Sequence, residues 1–259
     1  MSYGTIDISL TSISSRMATL GATLKSLLAQ DYADVHVHLY LSKEPYLLDA
    51  GVPEVPADIA ALAAGSGGRL TVHYCPNVGP YRKLLPYLRE HWGSSRLVVT
   101  VDDDTVYPTN WLTTMIQAYD TYGCVIAFRG HRVVVRNGKL APYNTWMRST
   151  VDTNPGTLIV PTGKDGVLYD TAFFPINVLN VEDALQVAPT ADDLWFRWHL
   201  SLNGIHTYLI NTNYRSGTFE ESDYEDSLYL SFNRGGKNDS AVVALETYFQ
   251  NRFGFSLSA

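Results

Sequence analysis

The chain predicts an α/β fold with a mainly parallel central sheet and helices on both faces, and three observations carry the prediction. The first hundred residues alternate short apolar strands with amphipathic helices, the pattern of a doubly wound sheet. The run at residues 97–101 is apolar and β-branched throughout, as a strand buried on both faces must be. That run stops abruptly on three carboxylates, Asp102, Asp103 and Asp104. Sheets of this kind bind ligands beyond the carboxyl ends of their strands.

The elements follow in order. Residues 6–10 alternate and are β-rich, which gives the first strand. Over residues 20–29, Leu20, Leu24, Leu27 and Leu28 fall on one face, which predicts a helix. The stretch VHVHLYL at 35–41 alternates cleanly and reads as the second strand. His36 and His38 share a face of it, and a half-buried strand with a polar side explains them without a metal. Residues 45–68 are rich in Ala, Pro and Gly, which predicts a short helix and a flexible turn at 65–68. Strands at 70–74 and 97–101 bracket a helix containing residues 86–91. A helix from Trp111 to about Tyr122 and a strand at 124–128 come next. Asn137-Gly138 between residues 132–135 and 139–140 predicts a hairpin with a type I′ turn.

From residue 142 to 174 Pro, Gly and aromatics are scattered and the pattern becomes irregular. Helices are expected at 194–202 and 241–253, with a strand at HTYLI, residues 206–210. No repeat, linker or low-complexity segment interrupts the chain, so one domain over residues 1–259 is the simpler organisation.

The 259 residues suffice for a sizeable core, and 46% hydrophobic with 17% charged residues places the chain among globular proteins. A net charge of −7 argues against nucleic acid or an anionic membrane as a non-specific partner. Cys75 and Cys124 lie in apolar strand-like runs without metal-ligand spacing, as reduced core thiols of a cytoplasmic protein would. MSYGTIDISL is not a signal peptide and no apolar run reaches membrane-spanning length, so peripheral association at the inner membrane face is the most that is expected.

Chemistry concentrates at two places. Successive strand residues point to opposite faces, so Asp102 and Asp104 can share a side while Asp103 turns away. Three adjacent carboxylates repel unless a cation or donors compensate them, and oxygen ligands suit Mg²⁺ or Mn²⁺ holding a phosphorylated substrate. Asp192 and Asp193 open the helical pattern at 194–202. One acidic residue suffices for a helix N-terminus, which leaves the second free for chemistry. The small residues of Gly163–Tyr169 let backbone approach a ligand closely, while Trp146, Trp195 and Trp198 fit the core better than a stacking platform. Residues 220–226 carry five carboxylates and read as a solvated loop. Arg234 and Lys237 in NRGGKND either close over phosphates or form a turn before the last helix.

Four stretches together resemble the GT-A glycosyltransferases, particularly bacterial enzymes of glycosyltransferase family 2: ISLTSISSR, NVGPYRKLLPYL, VVTVDDDTVYPTNW, and TGKDGVLY followed by PTADDLWF. The resemblance implies a GT-A-like, Rossmann-like sheet, with a nucleotide-sugar-binding half to about residue 128 and an acceptor-binding half beyond. It implies that Asp104, with Asp102, binds Mn²⁺ or Mg²⁺ bridging the donor's phosphates. Thr11, Arg16, Lys83, Asp102 and Asp103 would border the donor, and Asp193 or its neighbour Asp192 would take the acceptor proton. The implied donor is a UDP- or GDP-linked sugar and the acceptor a glycan or lipid-linked hydroxyl. The implied reaction is an inverting transfer in bacterial surface polysaccharide synthesis. Asn77 stands where these enzymes often carry an acidic residue, and His206, a possible further metal ligand, falls in the HTYLI strand. Two rivals remain. Asp102–Val106 also fits the D-x-D-x-[TV] string of haloacid-dehalogenase-like phosphohydrolases, although three strands precede it here. A non-catalytic glycan-binding module has no need of a triple Asp.

Overall fold

The computed structural model describes residues 3–213, 218–221 and 236–259. Among these, strands β1 (Ile6–Thr11), β2 (Val35–Leu41), β3 (Leu70–Tyr74) and β4 (Leu97–Thr100) pair in parallel in the order β4-β1-β2-β3. Helices α1 (Leu20–Leu28), α2 (Ala57–Gly65) and α3 (Leu85–Glu90) connect them. The alternation dictates the faces. Ile6, Ile8 and Leu10 of β1 join Val37 and Leu39 of β2 and Leu20, Leu24 and Leu27 of α1 in one core. Val98 of β4 belongs to a second core on the other face, with Tyr87 and Leu88 of α3. Each fully buried aliphatic side chain contributes ~1.5–3 kcal/mol.

Beyond β4 the triple Asp turns into a two-residue strand, β5 (Thr105–Val106), and then α4 (Trp111–Tyr122), which ends on Gly123 in the left-handed region at φ 58°. Strand β6 (Val125–Ala127) follows, shorter than expected at both ends. The predicted hairpin is present but smaller. Only β8 (Val135–Arg136) and β9 (Lys139–Leu140) pair across Asn137 and Gly138, whose φ values of 52° and 68° are those of a type I′ turn. Arg132 lies instead in β7 (Gly130–Arg132), antiparallel to β10 (Ile159–Pro161). The short helix α5 (Tyr143–Trp146) sits between.

The irregular stretch hides a strand that periodicity does not reveal. β11 (Val167–Asp170) inserts antiparallel between β4 and β6. Helices α6 (Val181–Val187) and α7 (Asp192–Leu202) lead to β12 (Thr207–Leu209), parallel to β6, which completes the seven-stranded order β12-β6-β11-β4-β1-β2-β3. Glu220–Glu221 form β13 against β5, so this part of the acidic run is paired rather than loop. The rest of that run, and Arg234, lie outside the described residues. Helix α8 (Asn238–Phe253) packs Leu245 and Phe249 into the second core with Trp146, Trp195 and Trp198, all fully buried. Cys75 and Cys124 are free thiols. No helix among the described residues is long and apolar enough to cross a membrane.

Candidate active site

A cleft of about 490 Å³ opens at the carboxyl ends of β1 and β4. The register explains what meets there. Val167, at the start of β11, pairs with Thr100, at the end of β4. The loop 162–166 therefore arrives beside the aspartates. Its conformation is fixed by close approach: a Cβ on Gly166, at φ 98°, would lie 2.4 Å from the Trp111 ring. Trp111 Nε1 also donates to the Asp165 carbonyl at 2.8 Å.

The three aspartates part company as the alternation predicts, although β4 already ends at Thr100 and they stand on a turn. Asp103 turns inward, where Ser12 Oγ and Arg16 Nη1 donate to its two oxygens, each at 2.5 Å. Asp102 and Asp104 face the cleft. Burial and the charges of Asp102 and Asp103 push the Asp104 carboxyl up to about 6, against the pull of Arg16 and Lys164. Arg16 Nη1 reaches Asp104 Oδ2 at 3.1 Å. Thr11, the last residue of β1, borders the cleft but spends its hydroxyl on the Tyr40 carbonyl at 2.8 Å.

Lys83 joins this turn to the start of α7. Its Nζ lies 3.0 Å from Asp192 Oδ2, 3.5 Å from Asp102 Oδ1 and 3.6 Å from Asp193 Oδ1. Burial disfavours the ammonium, but the three carboxylates outweigh it and hold the charge well above the usual lysine range. Neither acidic residue caps the helix by a side-chain bond from the N-cap position, which is Ala191. Asp193 Oδ2 instead accepts from the Gly163 amide at 3.0 Å. Burial raises the Asp193 carboxyl to about 7, with Asp192 and Asp102 adding to the shift and Lys83 opposing it. A Cβ on Gly163 would stand 2.6 Å from Lys83 Nζ and 2.9 Å from Asp102 Oδ1, so only glycine leaves this group of charges undisturbed.

Thr11, Arg16, Lys83, Asp102, Asp103, Asp104, Asp192 and Asp193 thus line one cleft. His206 is not among its lining residues. Several lining residues were not among the sequence candidates. Arg82 is held by Asp49 at 2.9 Å and bonds the Ser12 carbonyl at 3.1 Å, while its Nε and Nη1 are buried without a hydrogen-bond partner among the described residues. Arg129, His131 and Lys164 line the cleft as well, and burial lowers the His131 imidazole to about 3, with Arg129 adding to it. Adjacency to Lys83 was the one available signal for Arg82. For Arg129 and His131 none existed, since β7 was unrecognised. The oxygens of Asp102 and Asp104 are of the kind that hold a hard divalent cation, and burial with the neighbouring carboxylates disfavours the charge on Asp104.

The fold is similar to that of S. aureus TarS. The crystal structure of TarS 1–349 aligns with a TM-score of 0.55 at 16% identity, covering 96% of this chain and 66% of that one. Its complex with UDP-GlcNAc gives 0.55 at 16% identity, with 98% and 73% covered. A further TarS structure gives 0.54 at 18%, with 98% and 44% covered, so this chain spans less than half of that protein. At these identities the likeness is one of fold. No curated protein matches the chain. A family model described as glycosyl transferase family 2 matches residues 15–173, which includes β1's following loop, the Lys83 segment, the aspartate turn and β11. With more than half of its length matched, the chain belongs to glycosyl transferase family 2 and has a GT-A-like fold.

Proposed function

We propose that the chain transfers a sugar from a nucleotide-sugar donor to a hydroxyl acceptor with inversion, and that Asp193 is the base that takes the acceptor's proton. One observation carries this: the aspartate turn after β4 and the first turn of α7, remote in sequence, converge on Lys83 in one cleft. A carboxylate raised to about 7 is matched to proton abstraction near neutral pH. The Gly163 amide fixes one Asp193 oxygen, which leaves the other directed toward Lys83 and the cleft.

Asp104 and Asp102 would hold Mn²⁺ or Mg²⁺, which supplies charge neutralisation on the departing diphosphate. The chain's own cations share that task. Arg16 stands at Asp104, and Arg82 offers two buried nitrogens to an anionic or carbonyl group of the donor. Lys83 keeps Asp102, Asp192 and Asp193 together and lowers the cost of ionising Asp193. S. aureus TarS 1–349 is known in complex with UDP-GlcNAc, which makes UDP-GlcNAc the first donor to try, with GDP-sugars next. The acceptor is a glycan or lipid-linked hydroxyl, in bacterial surface polysaccharide synthesis at the cytoplasmic face of the membrane.

The test is release of nucleoside diphosphate from a panel of UDP- and GDP-sugars with Mn²⁺, with and without glycan acceptors. The wild-type chain should consume one donor, and the first-formed product should have the opposite anomeric configuration by NMR. Retention of configuration would remove Asp193 from the role of base. No turnover with any donor would remove the transfer itself.

A further inference from the structure

A second group of chemically capable side chains lies at the other end of β1 from the cleft. Asp7, His36, His38 and His73 project from the face of β1, β2 and β3 opposite to Ile6, Ile8 and Val37. Four residues of strand separate Asp7 from Thr11, about 13 Å at 3.3 Å per residue, so the two places do not share ligands. Asp7, His36 and His38 each offer one ligand atom, and these atoms lie within 4.8 Å of one another.

We propose that Asp7, His36 and His38 form a binding site for a divalent transition-metal ion, with Zn²⁺ the best match. Two imidazoles and one carboxylate are a borderline-soft set that suits zinc and its neighbours rather than Mg²⁺. Tetrahedral zinc bonds of about 2.0–2.2 Å put ligand atoms ~3.3–3.6 Å apart, so closing the site needs up to about 1.5 Å of side-chain movement. The two imidazoles project two residues apart from one strand with their rings stacked at 4.3 Å and 22° between planes, so both must rotate for their in-plane nitrogens to converge on one ion.

The second observation is that every ligand is held from behind. Tyr87 OH donates to Asp7 Oδ2 at 2.5 Å, and Asp7 Oδ1 faces His38 Nε2, a contact that a bound ion would replace. His38 Nε2 stands 2.9 Å from Asp7 Oδ1, while its Nδ1 is tied to His73 Nε2 at 3.0 Å. His36 Nε2 is tied to Thr71 Oγ1 at 2.8 Å, which leaves Nδ1. Partners of this kind set the tautomer and orientation of metal-binding histidines. His36 and His73 are half-buried, so an ion reaches the group from solvent near the sheet edge. Once bound, the ion clamps β1 to β2.

The test uses tag-free protein stripped with a chelator and titrated with Zn²⁺ alone by calorimetry, without nucleotide. One equivalent should bind and raise the thermal midpoint, and Co²⁺ in its place should give the visible absorption of a low-symmetry nitrogen–oxygen site. His36→Gln should weaken Zn²⁺ binding at least tenfold while sugar transfer persists, because this half-buried side chain is remote from the cleft. Thr71→Val should weaken it about tenfold. Asp104→Asn should leave it unchanged. Absence of stoichiometric Zn²⁺ binding would overturn the site. So would equal affinity in wild type and His36→Gln, or loss of the zinc signal in Asp104→Asn instead.

Discussion

Asp193 and Asp104 carry the same functional group in two settings, and the difference is testable one atom at a time. Asp193→Asn keeps the size of the side chain and can still accept the Gly163 amide bond, but it has no basicity. Transfer should fall ~10²–10⁴-fold with donor affinity kept, measured as initial rate and as calorimetric binding. In the wild type the rate should fall as pH drops through about 7, where Asp193 takes up a proton, and the residual rate of the Asn variant should lack that limb. Asp104 makes a stability prediction. Its folded pKa of about 6 lies above the ordinary 3.8, so the folded state binds more protons than the unfolded between those values. Stability from this group is therefore present below about 4 and is lost as pH rises to about 6. Metal-free Asp104→Asn should gain thermal stability relative to wild type across that window. Asp103→Ala should do the opposite at neutral pH. It removes the nearer of the two carboxylates on the buried Arg16 guanidinium and leaves only Asp104 of that pair, and breaking a buried ion pair costs up to ~3–5 kcal/mol.

At the scale of elements, the loop before β11 is the part most sensitive to a single methyl group. Gly166→Ala combines a φ of 98° with a Cβ 2.4 Å from the Trp111 ring, and neither backbone nor indole can yield easily. A loss of ~1–3 kcal/mol is expected, read as a lowered thermal midpoint, with activity falling alongside because the same loop carries Gly163. How legible each element was follows from its physics. β1, β2, α1 and α4 were readable because each has enough residues to express a period, with apolar positions that all face one core. β11 has four residues and β7 three, too few for any period, and the glycines before β11 read as loop. The start of α7 was legible in composition, but not where its carboxylates go. That Asp192 bonds Lys83 and Asp193 the Gly163 amide depends on tertiary contacts that no local pattern encodes.

For the molecule as a whole, the sheet places the cleft at the carboxyl ends of its strands. The aspartate turn follows the fourth strand of the chain, and β4 lies in the middle of the seven-stranded order, where the strand arrangement concentrates ligand binding. The central position was foreseeable from the apolar run at 97–101. The contribution of Arg129 and His131 was not, since β7 has only three residues and expresses no period. The central claim is that Asp104 and a divalent ion hold a nucleotide-sugar's diphosphate in this cleft. The most direct measurement is calorimetric titration of UDP-GlcNAc, and then other UDP- and GDP-sugars, into wild type and Asp104→Asn, with Mn²⁺ and after chelation. At least one donor should bind the wild type with Mn²⁺, and binding should weaken at least tenfold on chelation or in Asp104→Asn, with the variant still folded. Equal affinity in all conditions, or no binding of any nucleotide sugar, would contradict it.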